Sequence, residues 1–310
     1  MPITIRPLEE RDLPAADRIC RLAFGTFLGL PDPMTFMGDA DFVATRWRAE
    51  PAGAVAAELD GELVGSNLAT RWGSFGFFGP LSVRPDLWDG GIARRLLERT
   101  MEIFAAWGTT HHGLFTFAQS AKHVGLYRKF GFAARFLTAV MSRPVQTPRN
   151  IRWSRLSKAN DRDGVLRACR SLTTRIHPGL DLEREMSAVA RQDLGDTVLV
   201  HDAGELVGLA VCHRGARTEA GSATCFVKFG AVRPGADAPA RFERLLDACD
   251  AFAGAEQART LVAGVNMARD EAYGIMLARG FRTFIQGVAM QKPNEPGFNR
   301  PDAFVIDDWR

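Results

Sequence analysis

The chain has 310 residues, 46% of them hydrophobic and 24% charged, which is typical of a globular protein and excludes wholesale disorder. The net charge is only +3 and the basic residues are scattered, so the sequence shows no basic face of the kind that binds nucleic acid. The length is that of two domains of about 150 residues each.

The predicted elements of the first half follow one another as strand, helix, hairpin, strand, helix, strand, helix and strand. The first strand is 3–6, and the spacing of Leu13, Ile19 and Ala23 predicts a helix. Asp60-Gly61 marks a hairpin turn. The remaining predicted segments are a strand over 77–83, an amphipathic helix over 92–107, a strand over 113–118, a short helix before Gly131-Phe132, and a last strand.

The second half repeats this order, from a strand over 151–156 onward. Four sequence matches recur in the same order along both halves, which indicates duplication. They pair Asp12 and Cys20 with Asp161 and Cys169, Gly61–Gly65 with Gly204–Gly208, Val83-Arg84-Pro85 with Val232-Arg233-Pro234, and Phe130-Gly131-Phe132 with Arg279-Gly280-Phe281. We therefore expect an α/β (α+β) protein with two domains, 1–144 and 150–292, each with a mixed sheet, and a tail over 293–310. Pro144 to Arg149 would be the linker.

No segment looks like a targeting signal or a membrane anchor. The first six residues lack the features of a signal peptide, and the uncharged run 103–121 contains too many polar residues to span a bilayer. Five cysteines, without metal-ligand spacing, are typical of reduced thiols. We expect a soluble cytoplasmic monomer or homodimer that contains no metal and does not bind membranes.

The segment 81–93 is the first candidate for chemistry. A strand ends, a loop with Gly90 and Gly91 follows, and a helix begins at once. Backbone N–H groups at such a helix start can bind a phosphate. A plain strand-to-helix turn needs the same glycines, so this segment alone leaves both interpretations open.

The segment 120–132 supplies a second motif. Together the two segments resemble the GNAT superfamily of acyl-CoA-dependent N-acyltransferases. The residues that match its motifs are Gly91 and Ala93 in the loop, and Leu126, Tyr127, Gly131 and Phe132 after it. Because both halves follow the element order of that family, the chain resembles a protein with two tandem GNAT-like acyltransferase domains.

The resemblance implies acetyl-CoA as co-substrate and an amine as acceptor, on a small molecule or a peptide. In the family, loop N–H groups hold the pyrophosphate and the preceding strand edge pairs with the pantetheine. The residues at the matching cofactor-binding positions are Leu81, Ser82, Val83, Trp88, Asp89, Gly90, Gly91, Ile92, Ala93, Arg94 and Ser120. Tyr127 would be the general acid for the departing thiolate, although a tyrosine on a helix is also commonly a packed aromatic.

Some positions depart from the family pattern. Trp88 replaces an arginine or glutamine, so Arg84 or Arg94 would have to supply the positive charge, and Ser120 replaces an asparagine. No carboxylate lies on the strand before the loop, which leaves the general base open. Asp39 and Asp41 are weak candidates for it and are more simply a solvated pair. His111 and His112 are expected at the surface.

The second half lacks the paired glycines and has Pro239 at its helix start and Met276 at the tyrosine position. We therefore expect a degenerate domain, with Met276 in its core. The hypotheses are an N-acetyltransferase acting through the first half, or a catalytically silent acyl-CoA-binding or interaction protein.

Two sets of apolar residues are relevant to the site of the acceptor. A candidate lining for the substrate opening is formed by Phe24, Phe27, Leu28, Leu30, Met34, Phe36 and Met37, which could equally be core. The tail, with Phe304, Val305 and Trp309, is too apolar to stay in solvent and should dock. A more specific hypothesis gives the docked tail a catalytic role, in which Asp307, Asp308 or the carboxylate of Arg310 acts on the acceptor amine.

Overall fold

The computed structural model describes residues 3–147 and 151–310. Its first half contains β1 (Thr4–Pro7), α1 (Leu13–Phe27), α2 (Val43–Ala49), β2 (Ala54–Leu59), β3 (Glu62–Trp72), β4 (Phe75–Phe78), β5 (Ser82–Val83), α3 (Ile92–Trp107), β6 (His111–Thr116), α4 (Ala121–Lys129) and β7 (Ala133–Pro144). Its second half contains β8 (Ser154–Arg155), α5 (Arg162–Ile176), α6 (Glu183–Arg191), β9 (Gly195–Asp202), β10 (Glu205–Gly215), β11 (Gly221–Val232), α7 (Ala238–Ala255), β12 (Thr260–Asn266), α8 (Asp270–Ala278), β13 (Arg282–Lys292) and β14 (Val305–Ile306).

The predicted α/β class with helices flanking a mixed sheet is confirmed. The apolar face of α3 packs on the sheet as its spacing predicts: Leu97 and Phe104 are buried in one cluster with Leu114 of β6. In the second half, Phe242 and Phe252 of α7 are buried in the same way. No helix in the described ranges combines the length and the apolar character needed to cross a membrane.

One predicted strand is interrupted. The sequence predicts a single strand over 77–83, but β4 ends at Phe78 and β5 begins at Ser82. Pro80 lies in the gap and has no N–H to donate to a neighbouring strand, so the ladder cannot continue through it. The gap leaves Gly79, Pro80 and Leu81 between two paired segments of the sheet, where a ligand can approach the backbone.

The last strand of each half is exchanged with the other half. The order of the main sheet is β1-β2-β3-β4-β6-β13-β7-β12-β11-β10-β9-β8. β13, from the second half, pairs with β6 through Val288 and Thr116, and β7, from the first half, pairs with β12 through Asn266 and Thr138. The predicted boundary near 144–149 stays a prediction, because its Pro148 and Arg149 lie outside the described residues. The hydrogen bonds of β7 and β13 nevertheless join the two halves into one sheet.

A buried charge cluster also joins the halves. Arg46 of α2 bonds Glu219, which precedes β11, at 2.8 Å between Nη2 and Oε2. The other oxygen of Glu219 lies 2.7 Å from Nζ of Lys228, and the same Nζ lies 2.9 Å from Oε1 of Glu185. Burial by itself raises the pKa of Glu219, but the attraction of Arg46 and Lys228 outweighs it and holds that pKa far below the usual range. Glu219 is therefore ionised at neutral pH.

Arg46 also forms hydrogen bonds with groups other than Glu219. Its Nη1 donates to the carbonyl of Gly79 at 2.7 Å, and its Nη2 also donates to the carbonyl of Arg310. One side chain of the first half thus fixes the gap after β4, the end of the tail and a carboxylate of the second half.

We expect residues 1–147, expressed alone, not to form a stable monomer. In this fragment β6 loses its neighbour β13, and β7 loses both β12 and β13, so the buried Val140 and Met141 become exposed. Circular dichroism and size-exclusion chromatography measure the outcome. Co-expression with residues 148–310 should restore a folded heterodimer, whereas a fragment that unfolds cooperatively as a monomer would contradict the exchange.

We expect Glu219→Gln to lower the free energy of unfolding by about 3–5 kcal/mol, because Arg46 and Lys228 then lose a buried counter-charge. A double-mutant cycle measured by denaturant unfolding tests the coupling. Arg46→Met combined with Glu219→Gln should lower the free energy of unfolding by less than the sum of the two single changes. Purely additive costs would show that the pair is not coupled. The exposed pair Arg99–Glu102 provides the control, and Glu102→Gln should change stability by under about 0.5 kcal/mol.

The same cluster predicts a pH dependence. The pKa of Glu219 is lower in the folded chain than in the unfolded one, so its contribution is present above the unfolded value, about 4.3, and is lost as the pH falls below it. The stability of the wild type should therefore fall more steeply below about pH 4.5 than that of Glu219→Gln. Parallel pH profiles of the two proteins would contradict this assignment.

Candidate active site

A cavity of about 1330 Å³ lies where β4 and β6 separate. These strands pair in parallel from Phe75 and His111 to Phe77 and Gly113, and the pairing ends there. Beyond that point, residues 78–83 and 115–117 both line the cavity. Residues of the second half, such as Phe226, complete its lining. Ligand cavities commonly open where neighbouring parallel strands diverge.

The structure brings the predicted cofactor residues together along this cavity. Those that line it are Leu81, Ser82, Val83, Trp88, Asp89, Gly91, Ile92, Ala93, Arg94 and Ser120. Gly90 is exposed and does not line it. β5 pairs on one side with β3, and the cavity borders the same segment. That these residues bind a cofactor stays a prediction.

The loop before α3 presents a row of free N–H groups. Within the described residues, the peptide N–H groups of Asp89, Gly91, Ile92 and Ala93 donate to no acceptor. Asp89 and Gly91 have φ angles of 68° and 78°, in the left-handed region that glycine adopts most readily. The free donors lie at the start of a 16-residue helix, where the macrodipole adds partial positive charge. This end of the cavity can bind an anion such as a phosphate.

Lys122 supplies the side-chain cation at this loop, and the sequence analysis did not identify it. Its Nζ lies 2.7 Å from Oδ1 of Asp89 and 5.7 Å from the ring centre of Trp88. The indole N–H of Trp88 donates to the carbonyl of Val83 at 2.8 Å, so its ring braces the loop. Of the two arginines expected to compensate for Trp88, Arg84 bonds Asp86 and does not line the cavity. The other, Arg94, lines the cavity and pairs with Glu98.

Tyr127 and His123 lie one turn apart on α4 and both line the cavity. The Tyr127 ring packs against Phe78 with 5.8 Å between centroids, while its hydroxyl has no hydrogen-bond partner in the described part of the chain. Burial raises the pKa of Tyr127 well above its usual value, so the hydroxyl stays protonated near neutral pH and can donate a proton. Burial lowers the pKa of His123, which leaves a neutral imidazole able to accept one.

Ser120 lines the cavity and also begins α4. Its side-chain oxygen accepts a hydrogen bond from the His123 N–H at 3.3 Å, which is an N-cap. The hydroxyl proton of Ser120 remains available to a ligand. A serine here therefore fixes the start of the helix that carries Tyr127.

The apolar residues at the end of α1 and just after it line another part of the cavity, as their composition suggested. Phe24, Phe27, Leu28, Phe36 and Met37 line it, whereas Leu30 and Met34 do not. The second half adds lining residues that, apart from Arg310, the sequence analysis did not associate with a site. They are Glu219, Ala220, Thr224, Phe226, Thr260, Val262, Phe284, Ile285, Gln286, Trp309 and Arg310.

Two expectations about histidines are wrong. His111 is buried, its Nε2 lies 3.1 Å from Oε1 of Gln291, and burial lowers its pKa to about 4. His112 is half-buried and stacks on Phe104 with 4.7 Å between ring centroids. The exchanged strand β13 carries Gln291 and covers this region. A contact of such long range has no local sequence signal.

The weak candidates for the general base do not reach the cavity. Asp39 is exposed and accepts from the N–H of Ser222 at 2.8 Å, and Asp41 caps α2 by accepting from the N–H of Ala44 at 2.8 Å. Neither lines the cavity. Within 3–147 and 151–310, no group of three His, Cys, Asp or Glu side chains could hold a metal ion.

In the second half, the tail fills the place where the parallel strands separate, which is the place that the cavity takes in the first half. The parallel pairing of β11 and β12 ends at Val227 and Ala263. β14 then pairs with β11 through Ile306 and Gly230, and the Asp307 N–H donates to the carbonyl of Gly264, which follows on β12, at 2.9 Å. The predicted docking of the apolar tail is thus confirmed. Met276 is fully buried, as expected for a core residue.

The acidic residues of the tail are engaged in its packing. Arg269 donates to the carbonyl of Val305 at 2.5 Å and pairs with the Asp307 carboxylate. Burial raises the pKa of Asp307 to about 6, in spite of Arg269. Asp308 accepts from the backbone N–H and from Nε of Arg310, each at 3.0 Å. Neither aspartate lines the cavity.

Comparison with known proteins points to one family. Residues 20–132 match the model of the acetyltransferase (GNAT) family. Among curated proteins no match was found. A putative acetyltransferase from Pyrococcus horikoshii is similar in structure, with a TM-score of 0.69 and 16% identity over 99% of this chain and 95% of that one.

Two further solved structures show the same fold. A GCN5-related N-acetyltransferase from Sphaerobacter thermophilus has a TM-score of 0.59 and 16% identity over 94% of this chain and 95% of its own. Another, from Anabaena variabilis, has a TM-score of 0.54 and 12% identity over 94% of this chain and 72% of its own. The family match covers the loop and helix that form the cavity. Residues 20–132 of this chain thus match a GNAT acetyltransferase domain, in a fold that these solved structures share over nearly the whole chain.

Proposed function

We propose that the protein transfers an acetyl group from acetyl-CoA to a primary amine of a small molecule, in the cavity of the first half. The observation that carries this proposal is that the free N–H groups of Asp89, Gly91, Ile92 and Ala93 lie in the same cavity as the unpartnered hydroxyl of Tyr127. An anion site and a proton donor are what a pyrophosphate-bearing thioester requires at its two ends.

The lining of the cavity supports acetyl-CoA as the donor. The pyrophosphate would bind the N–H groups of the loop, with Lys122 beside them, and the pantetheine would follow the edge at 81–83. The thioester would then reach the gap after β4, near Gly79 and Pro80. The cavity, about 1330 Å³, also has room for an acceptor at its aromatic end.

Acyl transfer would proceed by attack of the neutral amine on the thioester carbonyl. The carbon–nitrogen bond forms, the carbon–sulfur bond breaks, and the thiolate takes the proton of the Tyr127 hydroxyl. The proton that the amine nitrogen loses passes through solvent and restores that hydroxyl. The burial that raises the pKa of Tyr127 keeps this proton in place until negative charge develops on sulfur. Glu219, the carboxylate that the second half adds to the cavity, is neutralised by Arg46 and Lys228 and is a poor general base.

Acetyl-CoA should stabilise the wild type, and Gly91→Glu should abolish this effect. At a hundredfold excess over Kd, binding contributes about 2.7 kcal/mol. A carboxylate at position 91 would repel the pyrophosphate from the free N–H groups. Thermal unfolding with and without acetyl-CoA measures the shift, and a wild type that shows none would rule out the proposed donor.

Gly204→Glu is the matched control for that variant. Gly204 has a φ of +85°, Gly91 has +78°, and a Cβ at either position would meet no atom within 4 Å. Both variants therefore carry a similar backbone strain, but Gly204 lies outside the cavity. The control should keep the full acetyl-CoA shift.

Tyr127→Phe should lower kcat by about 10²-fold while acetyl-CoA affinity stays nearly unchanged, because only the proton donor is removed. Thiol release over a panel of amines measures turnover. Tyr273→Phe, the same change at the half-buried tyrosine of α8, is the control and should leave kcat unaltered. Equal turnover in wild type and Tyr127→Phe would show that Tyr127 acts only in packing. No turnover by the wild type on any amine would favour the catalytically silent acyl-CoA-binding protein.

A further inference from the structure

We infer that the acceptor amine also carries a carboxylate, and that the guanidinium of Arg310 binds it. The acceptor class is an amine with a carboxylate and an aromatic or branched apolar body, of which the aromatic α-amino acids are the simplest examples. This inference rests on the proposed function, since it places the acceptor in the same cavity. It assigns specificity to a residue of the tail.

Arg310 lies beside the gap where the acyl group is expected. Its main-chain carbonyl carbon is 3.9 Å from the position that a Cβ on Gly79 would occupy. Arg46 donates to the carbonyls of both Gly79 and Arg310. Arg310 is one of the residues that line the cavity, next to the space that an acceptor would fill.

The guanidinium of Arg310 is held in place but is not fully paired. Nε donates to Oδ2 of Asp308 at 3.0 Å, and the guanidinium carbon lies 4.4 Å from the ring centre of Phe226. Nη2 is buried and has no hydrogen-bond partner among the described residues. A buried donor without an acceptor is unfavourable, and a planar guanidinium is suited to a carboxylate.

The protein does not supply that acceptor from the cavity itself. Within the described residues, the side-chain carboxylates that line the cavity are Asp89 and Glu219, and the main-chain carboxyl group of Arg310 accepts from Arg46. Asp89 pairs with Lys122 at the loop, and Glu219 is shared between Arg46 and Lys228. A ligand carboxylate would satisfy Arg310 without displacing any of these pairs.

The aromatic residues that line the cavity favour an apolar body on the same ligand. Phe24 and Phe36 stack with 5.3 Å between their centroids, and Phe27 packs on Phe117 at 5.3 Å. With Phe226 from the second half, these rings line the cavity. Such a surface excludes water and contacts aromatic or branched side chains closely. The lining therefore matches the apolar part of an aromatic amino acid.

The position of Arg310 is fixed by the second half. β14 pairs with β11, and the Asp307 N–H bonds Gly264, so the residues just before Arg310 are anchored on two strands. Trp309 is buried and lines the same cavity. A binding group held in this way needs little reordering when a ligand arrives.

The test compares amino acids with the amines that lack their carboxylate. Phenylalanine and phenethylamine, tryptophan and tryptamine, and leucine and 3-methylbutylamine are assayed by thiol release at saturating acetyl-CoA. The wild type should prefer each amino acid by at least about tenfold in kcat/KM. In Arg310→Gln, kcat/KM should fall about 10- to 100-fold for the amino acids alone, and Arg310→Lys should retain part of the preference. Arg300→Gln, at an exposed tail arginine outside the cavity, should change neither series.

Binding without turnover separates this inference from the proposed function. Calorimetry measures the binding of N-acetylphenylalanine and of N-acetylphenethylamine. Only the affinity for N-acetylphenylalanine should depend on Arg310. If no amine reacts but this dependence holds, the carboxylate site stands and the proposed function fails. If the amines without a carboxylate are the better substrates, or if Arg310→Gln weakens both series equally, the function stands and the carboxylate site is refuted.

Discussion

The buried ion pair between Arg46 and Glu219 is the interaction on which the arrangement of the cavity depends. Taking two charges out of water is costly, and the cost is offset only when every donor and acceptor is paired. Here the pairing extends through Lys228 to Glu185, and the remaining donors of Arg46 bind the carbonyls of Gly79 and Arg310. The network therefore fixes the backbone at the gap after β4 relative to the second half.

This dependence explains what the second half contributes to the cavity. In the second half, the tail lies where the parallel strands separate, and Pro239 stands at the start of α7, where an N–H donor would otherwise be. The same half provides Phe226 and Glu219 to the cavity of the first half. The free N–H groups thus belong to the first half, and the second half supplies part of the cavity wall.

The local features of the site could be predicted from the sequence, and the long-range ones could not. The free N–H row follows from glycines placed between a strand and an amphipathic helix, and the position of Tyr127 follows from its motif. Lys122 was missed because its pairing with Asp89 depends on how α4 lies against the loop. The burial of His111 depends on β13, which comes about 170 residues later in the chain. Strands β7 and β13 have similar apolar patterns, so the sequence does not indicate which partner each of them takes.

The strand exchange has a consequence for synthesis on the ribosome. β6 ends at Thr116, while its neighbour β13 begins at Arg282. At about 5–20 residues per second, the nascent chain waits roughly 10–30 s between making one strand and making the other. Throughout this interval the first half carries an open strand edge beside apolar residues, which is the kind of surface that aggregates or recruits chaperones. Translation speed across the second half thus sets how long the first half remains unprotected.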